Sequence, residues 1–360
     1  MKKSMSPEGE ELSSSDKERI SPVDWRQILL NYEGKFTNVK PAWIPDELVL
    51  SCLPTLVRTH HENDTVRADG TIILVKMKDW TFLVTAAHCI FDNANDFSEL
   101  FIGFQSQIVP ERYFLPLSKI SEMGGKWIYD KNHEKDEHGL RKRDIAILPI
   151  VFEKSFLNLI VHEFLDSKYQ IEGGIHLNNF QEGIHYGFGN AMSGKTTSID
   201  QSKAKSLGMT LDEILNLQKI GMNLFLPIAS RAQIQDLDPY KKGKTILPIT
   251  SIGLPGFSGG PLFIKNNGIP NLFGVVIRTG TKNVFNPEKE SYDRYVDEKT
   301  SVIVWDEVIK LVNEQLPEFE DEDILILKKE HVLHGEVEYI GVDDFIIKIP
   351  KNEIQRYESI

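Results

Sequence analysis

Three short runs in this chain carry residue types that can do chemistry together. Thr85-Ala-Ala-His88-Cys89 puts a histidine at the end of the apolar run 80–84. Asp144 opens "DIAIL", an apolar run led by a carboxylate. Ser258 lies in "GFSGGP", 256–261, where Gly256 and Gly259 let the backbone approach another group closely. A serine hydroxyl attacks a carbonyl when a base takes its proton and a carboxylate fixes that base's tautomer. N–H donors must also hold the developing oxyanion. His88, Asp144 and Ser258 supply the three side chains, and the N–H groups of Gly256 and Ser258 are the candidate oxyanion donors. Taken singly, each run has a plainer reading: a structural histidine, a turn aspartate and a glycine turn.

Such residues need rigid elements to hold them. Residues 70–90 read as two β-rich runs around a Lys-Asp turn, and "ELFIGFQSQIV" and "DIAILPIVF" continue that character. A second β-rich region starts near 174 and includes "GIHYGFGN", "NLFLPIAS" and "NLFGVVIRTG". A capping box, Thr210 with Glu213, starts a helical insertion ahead of Leu211, Ile214, Leu215 and Leu217. Trp305, Val308, Ile309 and Val312 follow i, i+3, i+4, i+7 spacing and predict a helix over about 302–315. The acidic run 317–323 reads as a linker, and 324–350 as two or three further strands. No internal repeat is visible.

Together the runs resemble the chymotrypsin/trypsin-like serine proteases, in an intracellular, non-zymogen form. The order His, Asp, Ser is that family's order, and "TAAHC" and "DIAIL" match its histidine and aspartate motifs almost letter for letter. "IHYGFGN" looks like the strand that opens the family's second barrel, and "FGVVIRTG" like the strand that pairs with substrate backbone. The resemblance covers about 50–315. It implies an all-β-dominated fold of two six-stranded antiparallel barrels with the site between them, a C-terminal helix and small terminal extensions. The expected organisation is a disordered tail at 1–20 and an N-terminal extension at 21–50. A first barrel at 51–165 and a second barrel with helix at 166–315 follow, then an acidic linker and small β appendage at 316–360. The implied activity is a serine endopeptidase acting on protein or peptide substrates, with no cofactor and no metal.

The resemblance also bears on specificity and activation. In the family, the residue six before the serine lies at the base of the pocket for the residue preceding the cut. Here it is Ile252, with Ile277 and Thr279 walling the pocket, which predicts a shallow apolar site for Ala, Val or Leu. Secreted zymogens of the family carry Asp just before the serine, and a newly cut N-terminal amine pairs with it. Phe257 cannot form that pair, so either it packs into the core and holds Gly256 in shape, or the loop waits for a partner. The cysteine after the histidine is often bridged upstream in the family, but position 73, where its partner would fall, is Ile73. The family bridge is therefore missing, in keeping with a reducing compartment, and a Cys52–Cys89 bridge stays open as the alternative to two free thiols.

Other readings compete. G-x-S-x-G also marks the nucleophile elbow of α/β-hydrolases, but that elbow needs a helix directly after the serine, and Gly259-Gly260-Pro261 follows instead. Residues 189–196 satisfy G-x-x-x-x-G-K-[ST] with Lys195, yet no apolar stripe follows to make the helix a phosphate loop needs. "HEKDEH", 133–138, offers metal-ligand types but reads as a solvated loop. A catalytically silent binding or scaffold module is the alternative from a different class.

Bulk properties bound these readings. The 360 residues are 41% hydrophobic and 26% charged, the balance of a folded polypeptide. The charge, 41 − 53 = −12, disfavours nucleic acid as partner. No apolar run approaches the ~18 residues of a membrane span. The N-terminal "MKKSMSPEGEELSSS" has no apolar segment of a signal peptide, and with two cysteines the expected compartment is the cytoplasm. That location makes a dedicated partner substrate in a stress or defence pathway the working expectation, with a regulatory protein docking on either terminal extension.

Overall fold

Two β-rich runs flank Lys78-Asp79 and fold back on each other as strands Thr65–Met77 and Trp80–Thr85. Lys78 makes the turn with a left-handed φ of 55°. The last four residues of the second strand are all buried, so it is apolar on both faces rather than alternating. In this computed structural model the described residues are 43–59, 65–92, 98–107, 111–130, 143–170, 181–188, 198–199, 227–234, 236–251, 256–286, 291–341 and 344–358. The N-terminal segment 1–42, the helical insertion around 210–217, and the runs 133–138 and 189–196 lie outside them.

The strands in chain order are β1 Cys52–Thr59, β2 Thr65–Met77, β3 Trp80–Thr85, β4 Ser98–Gln105, β5 Glu111–Pro116, β6 Ile128–Tyr129 and β7 Ala146–Phe152. There follow β8 Gln181–Gly187, β9 Ser198–Ile199, β10 Ile228–Ile234, β11 Ile246–Ser251, β12 Pro261–Asn266, β13 Ile269–Asn286 and β14 Ser291–Val304. The last three are β15 Leu325–Leu327, β16 Leu333–Gly341 and β17 Asp344–Lys348. A few helices complete the described residues, chiefly α1 Asp46–Leu50, α2 Ala87–Phe91, α3 Lys154–Leu157, α4 Asp238–Lys241, α5 Trp305–Gln315 and α6 Lys351–Glu358.

The fold is mostly β. The second half closes on itself in the order β11-β10-β8-β12-β13-β14, with β14 pairing back to β11 and β9 added at β14. Each strand thereby loses its free edge, as in a six-stranded barrel. The first half is a ten-stranded sheet, in the order β1-β4-β5-β16-β17-β2-β3-β7-β15 with β6 on β7. Its β1 also pairs with β2, so six of its strands form a ring too.

That ring draws on residues beyond the expected first barrel. The segment 316–360, read as an appendage, contributes β16 and β17, which join β5 to β2 inside the first sheet. Alternation marked these residues as strands, but the pairing partner of a strand is not written in its own periodicity. The acidic run is also not a free linker: it forms 3-10 turns, and Lys126 binds Asp323 through both a 3.0 Å side-chain pair and a backbone bond. α5 begins at Trp305 rather than 302 because Val302–Val304 end β14. Its Trp305, Val308, Leu311 and Val312 are buried in the core between the two halves. No helix among the described residues is long and apolar enough to cross a membrane.

Candidate active site

β3 ends at Thr85, and two alanines lead into α2, whose second residue is His88. Ala86 and Ala87 are buried, so larger side chains there would collide with the core. Asp144 arrives directly before β7 and is 2% exposed. Its carboxylate accepts twice from one residue: His88 backbone N–H at 2.9 Å to Oδ1, and His88 Nδ1 at 2.6 Å to Oδ2. The Ala87 N–H donates to the Asp144 carbonyl at 3.2 Å. The two segments are thus bound by backbone as well as by side chain. That grip fixes Nδ1 as the protonated nitrogen and leaves Nε2 as the basic one.

Arg143 anchors this pair from outside. Its Nε lies 3.0 Å from Glu307 and its Nη1 2.7 Å from Glu314, both on α5. The His88 side chain is 31% exposed, so it meets solvent while its partner does not. Burial pulls the imidazole toward its neutral form. The Cys89 sulfur beside it and the Asp144 carboxylate outweigh that and hold it above its ordinary value.

Ser258 belongs to the loop between β11 and β12. Its carbonyl accepts from the Thr71 N–H at 2.7 Å and from the Cys89 thiol at 3.6 Å, so its backbone is tied to the His88 side of the site. Gly259 turns at φ +87°, and a Cβ there would lie 1.9 Å from the Thr71 carbonyl, so glycine is obligatory. Among the described residues the N–H groups of Gly256 and Ser258 donate to no acceptor. Phe257 is fully buried. Its ring meets His185 edge-on at 5.0 Å, and Gly187 gives it room, since a Cβ at Gly187 would lie 2.6 Å from the Phe257 Cα. Beneath it His185 Nε2 hydrogen-bonds Ser251 Oγ. Of the two alternatives for Phe257, the structure has it packed into the core. A buried phenylalanine contributes roughly 1.5–3 kcal/mol by removal from water.

The structure brings His88 and Asp144 into direct contact and ties the Ser258 backbone to Thr71 and to Cys89, the residue after His88. It makes no hydrogen bond between Ser258 Oγ and His88 Nε2; the Cys89 sulfur lies 3.6 Å from Nε2. Of the pocket residues, Ile252 lies outside the described residues. Ile277 is 1% exposed and sits in a β-bulge of β13, between the paired Val276 and Arg278. Thr279 pairs with Thr300 of β14. β12 pairs β13 only as far as Val275, so beyond it the described residues place no strand on that side. Both cysteines are free, and burial pushes the Cys52 thiol up to about 12. Among the described residues no group of three or more His, Cys, Asp or Glu could hold a metal ion.

Sequence reasoning missed Thr71, Thr85 and Arg143. The Thr85 hydroxyl donates to the Thr71 carbonyl at 2.6 Å, and Thr71 in turn contacts the serine loop. Arg143 precedes Asp144 and was a findable neighbour; Thr71 looks like any strand threonine.

No family model matches the chain, and no curated protein matches it. Among solved structures, a thermostable serine protease AL20 from an extremophilic microorganism is similar over 74% of this chain and 96% of its own. The sequence identity is 13% and the TM-score 0.37.

Proposed function

We propose that the protein is a serine endopeptidase of chymotrypsin-like architecture, with His88, Asp144 and Ser258 as its triad. The observation that carries this reading is the double grip of the buried Asp144 carboxylate on His88 N–H and Nδ1. In the proposed reaction Ser258 Oγ attacks the substrate carbonyl while His88 Nε2 takes its proton. The C–N bond then breaks as the imidazolium protonates the leaving amine. Water, deprotonated by the same Nε2, releases the acyl group from Ser258. The Gly256 and Ser258 N–H groups hold the oxyanion in both steps. The substrate strand adds along β13 beyond Val275, with the pocket of Ile252, Ile277 and Thr279 taking a small or aliphatic residue. The proposed location is the cytoplasm, with a protein substrate and no cofactor.

A peptide library incubated with wild type and with Ser258→Ala tests activity and pocket together. Cleavage after Ala, Val or Leu, absent in the variant, is expected. Cleavage that persists in the variant would assign the activity to other residues. One observation favours a second reading, a silent binding module: Nε2 of His88 has the Cys89 sulfur beside it and no bond to Ser258 Oγ. A library left uncut by wild type supports that module.

A further inference from the structure

The loop 256–258 presents its donors from glycine. Gly256 has φ +93°, and a glycine peptide has little preference of its own for one orientation. Oxyanion donors act because they are fixed before the reaction. Phe257 fixes the loop through its side chain, which leaves the peptide planes to be held by something else. The plane that carries the Ser258 N–H is held within the loop, by the Gly260 N–H on the Phe257 carbonyl at 2.9 Å, and the planes on either side of it meet one residue of β2, from the other half of the molecule.

Thr71 is fully buried, and every polar atom it has is used. Its N–H donates to the Ser258 carbonyl at 2.7 Å. Its hydroxyl donates to the Gly256 carbonyl at 2.8 Å and accepts from the Phe188 N–H at 3.1 Å. Its carbonyl accepts from the Thr85 hydroxyl at 2.6 Å, three residues before His88. The polarity of the hydroxyl is forced. Phe188 N–H can only donate, so it occupies a lone pair, and the single hydroxyl proton goes to Gly256. The Gly256 and Ser258 carbonyls, one on each side of the Phe257–Ser258 peptide, are therefore both turned to Thr71.

We infer that Thr71 is the positioning residue for the Ser258 oxyanion donor. Its hydroxyl, set by Phe188, pins the Gly256 carbonyl and its backbone N–H pins the Ser258 carbonyl, so the peptide units on both sides of the one bearing the Ser258 N–H are clamped and that donor is fixed relative to His88. This rests on the proposed serine chemistry. It also gives the loop an anchor in the folded chain itself. Serine at 71 keeps the donor and the acceptor. Valine keeps the shape and the backbone bond but removes both hydroxyl roles. Alanine removes them and leaves space.

The test compares Thr71→Val, Thr71→Ala and Thr71→Ser with wild type by two independent readouts. The first is amide hydrogen exchange at Phe188, Gly259 and Gly260, whose N–H groups are hydrogen-bonded in or beside the loop. The second is the rate of Ser258 modification by a fluorophosphonate, with kcat and KM on a cleaved peptide. Exchange is expected to rise at these amides in Val and Ala and to stay at the wild-type level in Ser. Modification rate and kcat are expected to fall about 10- to 100-fold in Val and Ala with KM unchanged, below the ~10²–10³ for losing a whole donor. Serine is expected to restore them. Equal exchange and equal rates in Val and Ser would overturn the inference. So would a uniform rise in exchange over both sheets, which is the mark of a merely structural residue. If wild type itself forms no Ser258 adduct, the serine reading fails, and the local exchange pattern alone decides whether Thr71 holds the loop.

Discussion

The proposed acid–base half of the site and the proposed nucleophile loop are built differently. His88 and Asp144 are joined by their own functional groups: two hydrogen bonds run from one residue to the other, backed by Arg143 on α5. Ser258 is held by groups that take no part in chemistry. Thr71 binds the carbonyls around it, Phe257 fills the core below it, and Gly187 and Gly259 supply the clearance. In the first half the residues proposed to react are also the structural ones. In the second, position depends on neighbours that no motif marks, and so each half fails in its own way when it is altered.

Ser258→Ala gives the largest effect. Loss of a nucleophile lowers kcat on the order of 10⁶-fold, measured on any peptide the wild type cuts. Asp144→Asn follows, with a kcat loss of about 10⁴-fold from the wrong imidazole tautomer. It also moves the pH profile. The base must be neutral, and His88 is held above its ordinary value, so wild-type kcat/KM rises with pH well past about 6.5. Without the carboxylate the remaining activity rises at lower pH. Stability runs the opposite way. The imidazolium–carboxylate pair is fully present below the unfolded value of about 6.5 and is lost as pH rises through the higher folded value.

Phe257→Ala is the next largest effect and tests the other half. It empties a fully buried site and costs about 3–5 kcal/mol in chemical denaturation. If the two halves are built as described, this variant unfolds more easily while the His88–Asp144 contact persists in its folded form. Arg143→Ala gives the smallest effect. Its ion pairs are partly exposed, so stability falls by about 1 kcal/mol or less. The kcat loss stays under about tenfold, because the two backbone bonds still hold Asp144 to His88.

The same contrast decides how much was legible beforehand. His88, Asp144 and Ser258 stood out because proton transfer and nucleophilic attack need those residue types, and short side chains confine them to strand ends and tight loops. The β character, the 65–85 hairpin and α5 were legible from periodicity and from the Lys78-Asp79 turn. Thr71 was not, since its value lies in partners 117 and 185 residues away. The closure of the first sheet by β16 and β17 was hidden for the same reason: pairing across more than 200 residues leaves no local signature. The fate of Phe257 stayed open until the cleft between His185 and Gly187 was seen.

The most direct test of the account is the site of fluorophosphonate addition, read by mass spectrometry on intact and digested protein. One adduct is expected, on Ser258, formed by wild type, abolished in Ser258→Ala and strongly slowed in His88→Ala. An adduct on another residue, or equal labelling of wild type and Ser258→Ala, would contradict it.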